Sequence, residues 1–217
     1  MNYKDFIEKE KIIVIVRGVA SDKLLPLAEA MFEGGIRMLE ITFSADGKVS
    51  DEETAANIAL LSHHFEGRML IGAGTVLTKK QVKLTKKAGG KFIISPDADR
   101  AVIKYTKKLG LISMPGAVTP SEIKLCHNAG ADYVKIFPAV NLGPDYIKAV
   151  KAPLSHIKYL AVGGINPDNM KDYLKAGVCG FGIGGNIVSK DMIERGDFGG
   201  IQALAKKYTD ALRGENE

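Results

Sequence analysis

The sequence predicts a single (β/α)8 barrel, and three observations predict it. Short apolar runs alternate with helical patterns from one end of the chain to the other. Those runs are apolar throughout rather than alternating, as in parallel strands buried on both faces. One phrase, a helix end followed by a small-residue turn and a strand, recurs as EGGIRMLEI, KAGGKFIIS, KKLGLISMP, NAGADYVKIF and KAGVCGFGI. Repetition of one βα unit favours a closed barrel over an open doubly wound sheet.

Eight strands are expected in order: Ile12–Val16, Met38–Thr42, Met69–Gly72, Phe92–Ser95, Leu111–Met114, Tyr133–Phe137, Tyr159–Val162 and Gly180–Gly184. Helix starts lie between them. Ser50 with Glu53, Thr78 with Gln81, and Thr119 with Glu122 read as capping boxes, the last with Pro120 at the first helical position. Asn166-Pro167 reads as a further N-cap followed by proline. Ile201, Leu204, Ala205, Tyr208, Ala211 and Leu212 form the apolar stripe of a final helix. No linker or composition shift interrupts the pattern, so residues 1–217 are expected to form one domain. The longest loop, Ser44–Ser50, follows the second strand, on the C-terminal rim where barrels carry their active sites.

Composition narrows the function classes. Apolar residues make up 46% of 217 residues, enough for a core of this size. No run approaches the ~18 apolar residues of a membrane span. The opening MNYKDFIEKEK is charged and lacks the apolar stretch of a secretory signal, so a cytoplasmic protein is expected. Cys126 and Cys179 have no paired spacing and read as small buried side chains in a reducing compartment. The net charge is +5, but the lysines are scattered as pairs without interleaved aromatics, which argues against nucleic acid. His63, His64, His127 and His156 lie away from the expected rim and form no ligand spacing, so no metal is expected.

The chemistry should come from the C-terminal strand ends: Arg17, Glu40, Thr42, Thr75, Ser95, Pro96, Lys135 and the glycine turns. Lys135 sits within the apolar run Tyr133–Phe137. Burial lowers an ammonium's pKa and frees amine to condense with a carbonyl, and the resulting iminium acts as an electron sink. A structural lysine paired with a carboxylate is the alternative. Glu40, also mid-strand, fits an acid/base partner, or one half of a buried ion pair. Arg17 ends the first strand and can bind a carboxylate with both arms, or simply be an exposed loop side chain. Gly163-Gly164 and Gly184-Gly185-Asn186 follow the last two strands, the usual phosphate position of this fold. Their backbone N–H groups can cradle an anion, though glycines also serve tight turns.

These residues, read together, resemble a known family. Gly34-Gly-Ile-Arg-Met-Leu-Glu-Ile-Thr42, Gly72-Ala-Gly-Thr-Val76, Ile94-Ser-Pro96, Met114-Pro-Gly116, Lys135-Ile-Phe-Pro-Ala139 and Gly163-Gly-Ile165 are similar, in order, to motifs of the 2-keto-3-deoxy-6-phosphogluconate / 4-hydroxy-2-oxoglutarate aldolases. The resemblance runs from about Ile12 to Val188. It implies a class I aldolase with no cofactor or metal, commonly a homotrimer, acting on a small 2-keto acid. It implies Lys135 as the Schiff-base lysine and Glu40 as the acid/base group. Arg17, Thr75 and Pro96 would surround the keto-acid carboxylate, and Phe137 would form the aromatic wall. Gly163, Gly164, Gly184, Gly185 and Asn186 would take the distal phosphate.

The sequence departs from the family pattern in three places. Ser44 stands where some members carry a phosphate-binding arginine, Ala161-Val162 where Pro-Thr is common, and Asn186 where serine is common. All three lie toward the distal end, and the loop Ser44–Glu53 is longer than usual. The reaction class is therefore expected to hold while the substrate stays open. Two other readings remain: a phosphosugar isomerase or synthase of the same fold without a Schiff base, and a non-catalytic barrel that binds a sugar acid.

Overall fold

The structure is a computed structural model and describes residues 2–213. A helix, α1 (Tyr3–Glu10), precedes the first strand. Then follow β1 (Ile12–Val16), α2 (Ser21–Glu33), β2 (Met38–Thr42), α3 (Asp51–His64), β3 (Leu70–Gly74), α4 (Lys79–Lys87), β4 (Phe92–Ile94), α5 (Arg100–Lys108) and β5 (Ile112–Met114). The second half runs β6 (Gly116–Ala117), α6 (Pro120–Asn128), β7 (Val134–Ile136), α7 (Ala139–Lys151), β8 (Tyr159–Val162), α8 (Met170–Lys175), β9 (Gly180–Ile183), α9 (Lys190–Arg195) and α10 (Phe198–Arg213).

All strand pairs are parallel, in the order β5-β4-β3-β2-β1-β9-β8-β7-β6. The two ends of that list are one strand interrupted at Pro115. β5 pairs with β4, β6 pairs with β7, and the sheet therefore closes into the expected eight-strand barrel. Proline has no N–H to give a ladder, which accounts for the break. Its carbonyl still serves, accepting from the Lys135 N–H at 2.8 Å.

Side chains two apart on a strand share a face, and here the shared faces stack as layers. Ile13, Met38, Leu70, Phe92, Ile112 and Tyr133 fill the floor of the barrel. One step up along the strands come Glu40 and Lys135, with Ile94, Met114 and Leu160. Arg17, Thr42 and Phe137 follow at the mouth. The alternate residues, such as Val14, Leu39, Ile41 and Ile136, face outward and pack under the helices.

α1 is a finding that the sequence reading lacked. It plugs the floor, placing Ile7 in the interior cluster. Charges hold it there: Lys4 Nζ pairs with Asp132 at 2.7 Å, and Glu8 pairs with Lys158 and accepts from the Tyr133 hydroxyl.

Strand ends shift by one or two residues, and β3 starts at Leu70 and runs to Gly74. The capping boxes of α4 and α6 are complete. At α3 only half a box forms: Ser50 accepts from the Glu53 N–H, while the Glu53 carboxylate turns to the Ser21 hydroxyl. Asn166 does not cap α8. Its side chain accepts from the Asp168 and Asn169 N–H groups and closes a turn, and the helix begins three residues later, after Asn169. No helix among the described residues is long and apolar enough to cross a membrane.

Candidate active site

Lys135 and Glu40 lie in the middle layer of the barrel, 8% and 3% exposed. The ladder places Lys135 beside Gly116 and Leu160, and Glu40 beside Ile15 and Gly72. No hydrogen bond or ion pair joins the two side chains, yet each lies within the field of the other and of Arg17.

Burial dominates both ionisations. It pushes the Glu40 carboxyl up to about 7, against the opposing pull of Lys135 and Arg17. It pulls the Lys135 ammonium below the ordinary lysine value; Glu40 opposes this and Arg17 adds to it. A buried amine and a buried carboxyl, each displaced toward neutrality, can add to a carbonyl and exchange protons near neutral pH.

The side chains around them follow from strand geometry. Phe137, two residues after Lys135, shares its face, and its ring centroid lies 5.0 Å from Nζ. The phenyl ring rests against Gly163, whose missing side chain leaves it room. On the other side Arg17 Nη2 donates to Thr75 Oγ1 at 2.8 Å. Thr75 holds a left-handed backbone, φ 54°, unusual for a β-branched residue and the kind of strain found where a side chain must be aimed. One arm of Arg17 is thereby fixed, and the remaining N–H groups of the guanidinium stay exposed at the mouth. Pro96 is also exposed at the rim, its carbonyl packed against Gly116.

The glycine turns at the ends of β8 and β9 are arranged as an anion cradle requires. Their carbonyls are tied back into the protein: Gly163 accepts from the Val140 N–H, Gly164 from Asn169 Nδ2, and Gly184 from the Ile187 and Val188 N–H groups. Among the described residues no protein acceptor takes the N–H groups of Gly164, Gly185 and Asn186. The Asn186 carboxamide donates to the Ile165 carbonyl at 3.1 Å, so it links the two turns.

The structure thus brings Arg17, Glu40, Thr75, Lys135 and Phe137 around one mouth, with the glycine turns on its rim. Ser95 is corrected: it does not face the mouth but donates to the Val76 carbonyl from a buried position. Ser44 and Lys48 are folded into their own loop, both bound to Asp46, the lysine at 2.8 Å. Gly74 is a site residue the sequence reading missed. It lies in the GAGT motif at an inward position, directly against the Glu40 carboxyl. All four histidines sit at helix ends or loops on the opposite side of the barrel.

Comparison with known proteins identifies the family. The model of the KDPG and KHG aldolase family matches residues 4–204. A protein of Rhizobium meliloti (strain 1021) named probable 2-dehydro-3-deoxy-6-phosphogalactonate aldolase is 35% identical, over 83% of each chain. The 2-dehydro-3-deoxy-6-phosphogalactonate aldolase of Escherichia coli (strain K12) is 32% identical over 94% of this chain and 98% of its own. The crystal structure of the KDPG aldolase from Legionella pneumophila, with pyruvate captured at low pH as a covalent carbinolamine intermediate, superposes with a TM-score of 0.81. It is 31% identical and covers 91% of this chain and 93% of its own. This chain belongs to the KDPG and KHG aldolase family.

Proposed function

We propose that the protein cleaves a 4-hydroxy-2-keto acid to pyruvate and an aldehyde, reversibly, with Lys135 as the nucleophile and Glu40 as the acid/base group. The observation that carries the assignment is the shared middle layer, where burial lowers the amine's pKa and raises the carboxyl's to about 7.

The chemistry follows. Neutral Lys135 Nζ adds to the C2 carbonyl, and loss of water leaves an iminium. Ionised Glu40 takes the proton of the C4 hydroxyl, directly or through one water, as the C3–C4 bond breaks. The bonding pair moves into the iminium to form an enamine, and the aldehyde leaves. Glu40 returns its proton to C3, and water hydrolyses the pyruvate iminium to free Lys135. Arg17, oriented by Thr75, takes the C1 carboxylate beside Pro96, and Phe137 walls the keto carbon. The open N–H groups at the glycine turns, with Asn186 joining them, support an anionic distal end. A six-carbon 6-phosphorylated 2-keto-3-deoxy acid fits these contacts. The names of the two relatives above favour the galactonate over the gluconate epimer.

We further assign the chain as one catalytic domain working as a homotrimer in the cytoplasm. Exposed Leu77, Leu125 and Val140 are candidates for subunit contacts. Burial pushes the Cys126 and Cys179 thiols up to about 12 and about 11, values that suit inert thiols in a reducing compartment.

The test is borohydride reduction in the presence of pyruvate, followed by mapping of the labelled residue. A three-carbon adduct on Lys135 alone is expected. An adduct elsewhere, or none, overturns the assignment. Light scattering in solution checks the trimer.

A further inference from the structure

A second cavity of about 500 Å³ lies outside the barrel, between α2 and α3 and beneath the Ser44–Ser50 loop. That is within the roughly 300–1,000 Å³ typical of small-molecule sites. It crosses the rim of the sheet: Arg17 and Thr42 reach it from the mouth, while Val16 and Ile41 reach it from the outer face. Its walls are mixed: Val19, Leu24 and Phe43 give an apolar side, and Ser44, Asp46, Thr54 and Asn57 a polar one.

One residue in it is out of place for a mere packing gap. Asn57, on α3, is only 9% exposed, yet no group among the described residues hydrogen-bonds its carboxamide. Buried polar groups nearly always have partners, because leaving them without one is costly. Neither is the carboxamide sealed in: the only fully enclosed side-chain polar atom without a partner among the described residues is Ser62 Oγ. The Asn57 amide opens into the cavity, where a ligand or water can partner it.

Charge at the opening indicates what that partner carries. Arg17 and Lys190 line it, and among the described residues neither forms an ion pair with a carboxylate. Lys48 also lines it but is neutralised by Asp46 at 2.8 Å. An anionic head at Arg17 and Lys190, a short branched apolar body, and a hydroxyl or carbonyl within reach of Asn57 match all three features.

We propose that this cavity is a second small-molecule site for a short amphipathic carboxylate, and that its occupancy reaches the active site through Arg17. The binding part stands alone; the coupling rests on the role proposed above for Arg17 with the substrate carboxylate. A carboxylate held on the outer side of the guanidinium draws it from the mouth. Substrate binding weakens, and the chemistry on Lys135 is unchanged.

The probe is 3-hydroxy-3-methylbutanoate, which has no keto group to condense with Lys135. Calorimetric titration of the wild-type protein should show one bound probe per chain. Asn57→Leu should weaken binding about tenfold, as expected for loss of one hydrogen bond with some desolvation gained. Lys190→Ala, at an exposed position, should weaken it several-fold and serves where Asn57→Leu fails to fold by thermal melting. In the cleavage assay, bound probe should raise KM at constant kcat for wild type, and much less for either variant, with both variants normal in its absence. No binding, or equal binding by wild type and both variants, overturns the proposal: the amide is then merely hydrated, or the probe sits in the barrel mouth. Pyruvate trapping run in parallel separates the two readings. Failure of trapping removes the aldolase mechanism and leaves the binding result to stand or fall on its own.

Discussion

The Glu40 carboxyl occupies the space where residue 74 would carry a side chain, and only glycine there leaves it room. A methyl group on Gly74 would overlap Oε1 and Cδ of Glu40. Gly74→Ala should therefore displace the carboxyl while leaving Lys135 in place. A misplacement near 1 Å typically lowers a rate by about 10²-fold. We expect kcat to fall by that order with pyruvate still trapped on Lys135. The overpacking should also lower stability by about 1–3 kcal/mol. Normal turnover in Gly74→Ala would show that the position of the carboxyl does not matter.

Glu40 sets the pH dependence. Its ionised form takes the C4 proton, and that form fills as pH rises through about 7, so the rate should climb there. Glu40→Gln should lower kcat by about 10²–10⁴-fold and erase that acid limb. Stability moves the other way. The folded pKa lies above the unfolded value of about 4.3, so the contribution of buried, neutral Glu40 is present at acid pH and lost as pH rises to about 7. Glu40→Gln, neutral throughout, should gain in Tm on wild type across that window. Melting curves at several pH values read this directly.

The floor of the barrel should respond to acid. Burial raises the Asp132 pKa, but hydrogen bonds from Lys107, Lys4 and the Ser113 N–H outweigh it and hold the carboxyl below the usual range. Its stabilisation is present above about pH 3.9 and lost as pH falls through the depressed folded value. Asp132→Asn should lower stability by about 1–3 kcal/mol at pH 7, with the difference shrinking toward pH 3. Activity per folded molecule should be unchanged, since Asp132 lies at the opposite end of the barrel. Calorimetry at the two pH values, with an assay of the surviving fraction, tests both points.

The distal end can be sharpened by adding a cation. Ser44→Arg places a guanidinium on the rim and should lower KM for the phosphorylated six-carbon acid by about tenfold to a hundredfold, the worth of one charge-assisted hydrogen bond. KM for unphosphorylated 4-hydroxy-2-oxoglutarate should not change. Lys48→Ala should alter neither, because Lys48 is held by Asp46. If Lys48→Ala abolishes a strong preference for phosphate, the loop and not the glycine turns is the clamp.

What the sequence made legible was whatever depends on neighbours a few residues away. The apolar runs around Met38–Thr42 and Tyr133–Phe137 marked Glu40 and Lys135 as mid-strand residues, and the fold buries both side chains in the middle layer of the barrel. α1 stayed hidden because its partners, Asp132, Tyr133 and Lys158, lie far along the chain and its own composition is mostly charged. Pro115 was visible, but not that the pairing passes from one neighbour to the other across it. Asn57 had no part in the sequence reading; only the packing of α2 against α3 shows it buried.

The interrupted strand at Pro115 also bears on the order in which the barrel assembles. β1 to β5 form one run of consecutive neighbours, and β6 to β9 form another. Each ladder within a run joins strands only one crossover helix apart along the chain, so its closure costs less entropy than a pairing of distant segments. The strand cut by Pro115 carries the chain from one half to the other without any loop. Only the ladder between β1 and β9, Ile12 beside Phe181, joins opposite ends of the chain. Two half-barrels can thus form locally during synthesis, and the enclosed chamber comes into being in a single late event, when the last strand meets the first.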